Sequence, residues 1–165
     1  LAGVTTGAVT HDAYDAVALA DRLAVVERGV VTQSGPVREV LAAPASGFVA
    51  SIAGLNRVVG VGDGGMWTGE GIRWESADAA SRAAAATGRR IAAVFRPGDV
   101  RLGSAGTAAN AWSDVVTRLE PTPAGVRAHT TRCAVDLALL EAAPLNVGDT
   151  LDLTVDAAAI RFLPE

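Results

Sequence analysis

At Asn56 the chain changes texture, and that change limits it to two architectures joined in series. Before it, short apolar runs alternate with helix starts. Val4-Thr5-Thr6-Gly7-Ala8-Val9-Thr10 is β-branched and apolar enough for an interior strand, and His11 stands at its carboxyl end. A short helix is expected next. Leu23-Ala24-Val25-Val26 and Val30-Val31-Thr32-Gln33 then flank Glu27-Arg28-Gly29, a hairpin pattern in which the glycine supplies a positive φ. Ser34 or Gly35 can cap a helix whose first position suits Pro36; it runs from Val37 to Leu41 and ends at Ala43-Pro44. A second short helix spans Ser46 to Ala53 and stops at Gly54.

Beyond Asn56 the pattern is that of strands and tight turns. Val58-Val59-Gly60-Val61-Gly62-Asp63-Gly64-Gly65 reads as a strand and a glycine turn. It holds no G-x-G-x-x-G opening a helix, so a hairpin fits better than a dinucleotide loop. Ser76 to Thr87 is alanine-rich without an apolar stripe, which predicts a connecting loop or one marginal helical turn. Arg89 to Leu102 forms a strand ending in Arg96-Pro97, where proline restricts the backbone at the strand end. Further strands are expected at 110–119 and 125–131, joined around Glu120-Pro121-Thr122-Pro123, and at 135–139. A tight turn at Leu145-Asn146-Val147-Gly148-Asp149 leads into Thr150-Leu151-Asp152-Leu153-Thr154-Val155, which alternates as a half-buried strand should. Ala158 to Leu163 closes the sheet.

Composition removes several function classes. Half of the 165 residues are apolar, largely alanine, and no uninterrupted run approaches a membrane span. No basic segment leads into an apolar one at the start, so no signal peptide is expected. A lone cysteine, Cys133, excludes an internal disulfide and suits a reducing compartment; a packed thiol is the expected role. The net charge of −4 argues against a nucleic-acid partner. Trp67, Trp74 and Trp112 could stack bases or sugars, but no basic groove accompanies them, so core or interface packing is expected. His129 has no second His or Cys at ligand spacing, so no metal site is expected.

The opening residues carry a resemblance. Val9-Thr10-His11-Asp12, Ala18-Leu19-Ala20-Asp21-Arg22 and the Val25-Val26-Glu27-Arg28-Gly29 run resemble the switch-histidine segment of ATP-binding cassette (ABC) transporter ATPases. The likeness continues through Gly35, Glu39, Val40, Pro44, Phe48, Val49, Ala50, Gly54 and Asn56. It implies that residues 1–56 are the carboxyl-terminal tail of an ABC nucleotide-binding domain. It also implies that His11 is the switch histidine contacting the γ-phosphate, and that a longer parent uses ATP and Mg²⁺. Taken alone, a histidine there could equally bond a backbone carbonyl. The chain has no lysine and no phosphate loop, signature or Asp-Glu pair ahead of His11, so by itself it is not expected to hydrolyse ATP.

Ile91 to Leu102, with Arg96-Pro97-Gly98-Asp99-Val100, resembles the "IRPEDV" element of the transport-associated OB-like (TOBE) domain behind importer ATPases. The last sixty residues resemble one repeat of a molybdate-binding (molbindin) barrel. The expected fold is therefore mixed: an α/β ATPase remnant followed, over 57–165, by an all-β OB-like TOBE/molbindin barrel with a regulatory role. Molbindin-type binding sites carry "[ST]-A-R-N" and "K-A-S". Here the first reads Thr107-Ala108-Ala109-Asn110 and the second Asp156-Ala157-Ala158, so two cations are lost and an acid is gained. Thr107 and Asn110 remain as candidates for an oxyanion nest holding molybdate or tungstate. Two functional classes stay open. One is the regulatory portion of the ATPase subunit of a bacterial ABC importer, for molybdate or else sulfate, iron, polyamine or sugar. The other is an oxyanion-sensing or dimerisation module. The resemblance further implies a homodimer working with membrane permease subunits and a solute-binding protein, peripheral at the cytoplasmic face of the membrane.

Overall fold

The computed structural model describes residues 6–10, 13–103 and 109–165. The chain divides into two compact units, Leu1–Ala53 and Gly54–Glu165. Asn56, read from the sequence as the end of the first segment, here opens the first strand of the second unit.

The first unit holds α1 (Ala13–Leu19), a hairpin of β1 (Arg22–Glu27) and β2 (Val30–Pro36), then α2 (Val37–Ala42) and α3 (Gly47–Ile52). Both turn residues of the hairpin have positive φ, Arg28 at 52° and Gly29 at 82°, the geometry that matches the strands' twist. A small core of Val25, Val40 and Val49, with Leu23 against it, holds hairpin and helices together. Polar braces add to it. The Glu27 carboxylate accepts from the hydroxyls of Ser46 (2.7 Å) and Thr32 (2.8 Å), which hold its pKa below the ordinary carboxylate value. Gln33 bridges strand to helix end, donating to the Ala43 carbonyl and accepting from the Ala45 N–H. Ser46 caps α3 by accepting from the Val49 N–H. Neither Ser34 nor Gly35 caps α2: β2 runs on through them, and Pro36 sits at the cap position with no side-chain bond.

The second unit is two five-stranded antiparallel sheets around one core. Its elements are β3 (Asn56–Asp63), β4 (Met66–Gly69), β5 (Ile72–Trp74), α4 (Ala79–Ala85), β6 (Arg90–Phe95), a 3₁₀ turn at Pro97–Asp99 and β7 (Val100–Leu102). They continue with β8 (Ala111–Thr122), β9 (Gly125–Thr130), β10 (Ala134–Leu137), α5 (Leu139–Ala142), β11 (Thr150–Val155) and β12 (Arg161–Pro164). The sheet orders are β5-β4-β3-β6-β12 and β10-β9-β8-β11-β7. The two orders are one pattern used twice. Two hairpins, a helix and a strand (β3, β4, β5, α4, β6) recur as β8, β9, β10, α5, β11, and each half gives its last strand to the other half's sheet.

The register confirms the equivalence. Val58 faces Ala93 in the first half as Trp112 faces Leu153 in the second. Counting back two residues makes Asn56 equivalent to Asn110. Both are buried, at 7% and 3% exposure. Each clamps the backbone of the other half by two bonds. Asn56 donates to the Ala134 carbonyl and accepts from its N–H, both at 2.8 Å. Asn110 donates to the Glu75 carbonyl (2.9 Å) and accepts from its N–H (2.6 Å). Asn110 does this from a left-handed backbone, φ 60°, which asparagine tolerates better than most residues.

Three expectations are corrected. Ala79–Ala85 is a full helix rather than a loop, because Asp78 accepts from the Ser81 N–H as its cap and alanine favours the helix. It shows no apolar stripe because only Ser81 and Ala85 are buried in it, and Ser81 Oγ accepts from the Phe162 N–H. The 89–102 run is two strands in different sheets, β6 and β7, separated by the Pro97 turn. The closing strand pairs with β6, outside the last sixty residues, so the repeat read there interlocks with an earlier one instead of closing on itself.

The glycines of β3 also have a role other than turning. A Cβ on Gly60 would fall onto the Trp67 ring, and one on Gly62 would lie 2.5 Å from the Ala85 carbonyl. The strand is bare there so that an indole and α4 can lie against it.

Candidate functional site

Among the described residues, Ala109 of the first motif and Asp156-Ala157 of the second lie together on the surface of the second unit. An open depression of about 430 Å³ is lined by Asp99, Arg101, Ala109, Thr154, Val155, Asp156 and Ala157. Its framework is the β7–β11 ladder, in which Arg101 pairs with Thr154 and Val100 with Val155. Val100, Leu153 and Val155 are buried, so strand alternation turns Arg101 and Thr154 outward side by side. The Asp156 turn forms the rim: its side chain accepts from the Ala158 N–H (2.8 Å) and its carbonyl from the Ala159 N–H (2.9 Å). The Asn110 carbonyl accepts from the Val155 N–H (3.3 Å), which brings Ala109 beside that rim.

Of the residues predicted to act, His11 and Thr107 lie outside the described residues. The side-chain amide of Asn110 is committed to the Glu75 backbone, so what it contributes to the depression is the position of its neighbour Ala109. Arg101 was not anticipated. The pattern of the family directs attention to positions 109 and 156, whereas Arg101 arrives from a neighbouring strand. A signal was present all the same: Val100-Arg101 is echoed by Ile160-Arg161, an inward apolar and an outward arginine opening each exchanged strand.

The tryptophans belong to the core. Trp67 and Trp74 stack with centroids 4.4 Å apart, and Trp74 meets Phe95 and Trp112 edge-on at 5.5 and 4.9 Å. Cys133 is buried, and burial pushes its thiol up to about 12, leaving an inert group. Asp114, almost wholly buried, accepts from the Thr130 hydroxyl (2.8 Å) and from the Arg132 N–H and guanidinium (both 3.0 Å). His129 sits on the exposed β8–β9 face, its Nε2 2.8 Å from Arg118 and 2.9 Å from Glu120. His129 and then Arg118 hold the Glu120 carboxyl below its ordinary pKa. No helix among the described residues is long and apolar enough to cross a membrane.

No family model matches the chain. Curated relatives do. Over 90 residues, 53% of this chain, it is 43% identical to the molybdenum import ATP-binding protein ModC of Mycobacterium tuberculosis, covering 24% of that protein. Across 98% of its length it is 30% identical to sulfate/thiosulfate import ATP-binding protein CysA 2 of Chromobacterium violaceum, of which it spans 46%. The chain thus spans less than half the length of these relatives. Among solved structures, the cytoplasmic molybdate-binding protein ModG, crystallised with molybdate bound, superposes with a TM-score of 0.52 at 16% identity, over 67% of this chain and 95% of that one. At that identity the likeness speaks for the fold. Over these stretches the chain is similar to the ATP-binding proteins of ABC importers, and its second unit has a molbindin-like OB fold.

Proposed function

We propose that this chain is the carboxyl-terminal regulatory portion of the ATP-hydrolysing subunit of a bacterial molybdate importer, and that its second unit senses the oxyanion. The observation that carries the reading is the 43% identity to the molybdenum import protein over half the chain. That Ala109 of the first motif and Asp156-Ala157 of the second line one depression supports it. In this reading residues 1–56 complete a nucleotide-binding domain, the OB-like unit follows over 57–165, and two copies work with permease subunits and a solute-binding protein at the cytoplasmic face of the membrane. The residues of this chain do not make an ATP site by themselves, since they include no lysine and no phosphate loop. His11 is the switch histidine of the longer parent. His11→Ala there abolishes hydrolysis and leaves ATP binding nearly intact; wild-type turnover in that variant would remove the role.

A second reading, a barrel that only dimerises or docks a regulator, is favoured by the alanine at 109 and the acid at 156. A thermal-shift titration separates the two, using molybdate, tungstate and sulfate against chloride at matched ionic strength. A ligand at a hundred times its Kd stabilises the fold by about 2.7 kcal/mol. A shift with molybdate and tungstate alone supports the sensor. No shift with any anion leaves the docking module.

A further inference from the structure

At 109 and 156 the depression carries an alanine and an acid where the resembled oxyanion-site pattern has cations. We propose that Arg101 is the cation through which it takes a tetrahedral oxyanion, an inference that rests on the sensing role proposed above. Four observations carry it. Arg101 lines the same depression as Ala109 and Asp156-Ala157. Among the described residues no ion pair engages it, so its donors are not committed to a carboxylate. Its cross-strand neighbour on the same face is Thr154, a hydroxyl-bearing residue that also lines the depression. Small side chains at Ala109 and Ala157 leave room for a compact ligand to reach both. A planar, permanently charged fork suits a tetrahedral oxyanion better than a single point charge does.

The depression also holds Asp99 and Asp156. Asp156 spends one side-chain oxygen on its own turn, but its charge still opposes a dianion. With two acids in the lining, Arg101 is the one positive charge among the described lining residues, and binding is weakened without it.

The interlocked repeats supply a matched control. Arg161 follows Ile160 as Arg101 follows Val100, at the equivalent place in the other exchanged strand, and does not line the depression. The experiment titrates molybdate into the full 165-residue chain, as wild type, Arg101→Gln and Arg161→Gln, by calorimetry at low ionic strength. Both arginines are exposed, so unliganded melting temperatures are expected to match wild type, and this is checked first. Arg101→Gln is expected to weaken molybdate about tenfold to a hundredfold, the scale of one lost charge-assisted hydrogen bond; Arg161→Gln stays within about twofold, the change screened surface charge allows. If wild type binds and Arg101→Gln binds equally well, the assignment to Arg101 fails while the sensing role stands. Equal losses in the two variants mean a diffuse charge effect and also overturn it. If wild type binds no oxyanion, the sensing role itself falls and takes this assignment with it.

Discussion

The two halves of the second unit trace the same path with different materials. The first, β3 to β6, builds its core from indoles: Trp67 and Trp74, both essentially buried, with Phe95 against them. It thins its own backbone at Gly60 to admit Trp67 and at Gly62 to admit α4. The second, β8 to β11, uses Val116, Ala128, Val135, Leu151, Leu153 and Val155, with Trp112 alone reaching across to the aromatic cluster. It also buries a charged knot, Asp114 with Thr130 and Arg132. What the halves share is not a core composition but a frame: antiparallel order, an exchanged last strand and an entry asparagine gripping the other half. Topology here is set by alternation, turns and a few satisfied backbone groups, and the interior is then filled by whatever volume fits.

The comparison is broken most severely in the aromatic half. Trp74 touches Trp67, Phe95 and Trp112, so Trp74→Ala is expected to cost about 3–5 kcal/mol in urea unfolding, the range for deleting a buried aromatic. Gly60→Ala comes next. It adds one methyl where the Trp67 ring already lies, and overpacking of that kind costs about 1–3 kcal/mol. The shared frame is tested by the two asparagines. Removing the Asn56 side chain strands the buried N–H and carbonyl of Ala134, a loss of about 2 kcal/mol or more, whereas the Glu75 groups that Asn110 holds are only part-buried. Asn110→Ala should therefore cost somewhat less than Asn56→Ala; no loss at all in one of them would show that the repeat is a likeness of shape only.

How much of this was legible follows from where the signals lie. Thr150–Val155 was readable to the residue because it alternates, and the Glu27-Arg28-Gly29 hairpin because its turn chemistry is local. The α4 helix was missed since its cap, Asp78, is local but its packing face is two small residues, Ser81 and Ala85, that show no apolar period. The repeat was invisible because Trp112 stands where the first half has Val58, and Arg96 follows β6 where Asp156 follows β11. Strand exchange leaves little trace in one sequence: β7 looks like a continuation of the strand before it and β12 like the closing strand of its own half, and only long-range pairing reveals their partners. The candidate site was half legible for the same reason. Positions 107–110 and 156–158 could be named from pattern, but Arg101 comes beside Ala109, Asp156 and Ala157 only through the β7–β11 ladder.

Cys133 sharpens the comparison through pH. The aromatic half has no cysteine, and the second half buries its one thiol, raised by desolvation to about 12 from an ordinary 9.0. A thiol raised on folding stays protonated in the native state while the unfolded chain has already ionised. Its contribution to stability is therefore full below about pH 9 and is lost as pH rises toward 12. Cys133→Ala should flatten the alkaline limb of a stability-versus-pH curve. An alkylating reagent at pH 8 should label the wild type only at the rate of opening.

The smallest expected effect concerns the charge that follows each half's β6 or β11 strand. The first half carries Arg96 there and the second Asp156. Asp156 lines the depression with Arg101, while Arg96 does not. Asp156→Asn removes a repelling charge and leaves the amide oxygen to accept from the Ala158 N–H as the carboxylate does. Unit charges about 4 Å apart interact by about 1 kcal/mol in water, and the term doubles for a dianion. A several-fold gain in molybdate affinity at low salt is therefore expected, shrinking as ionic strength screens it. Arg96→Gln should leave affinity unchanged. Should Arg96→Gln weaken binding while Asp156→Asn leaves it untouched, the anion would belong to the first half's turn, and the two halves would have exchanged roles as well as strands.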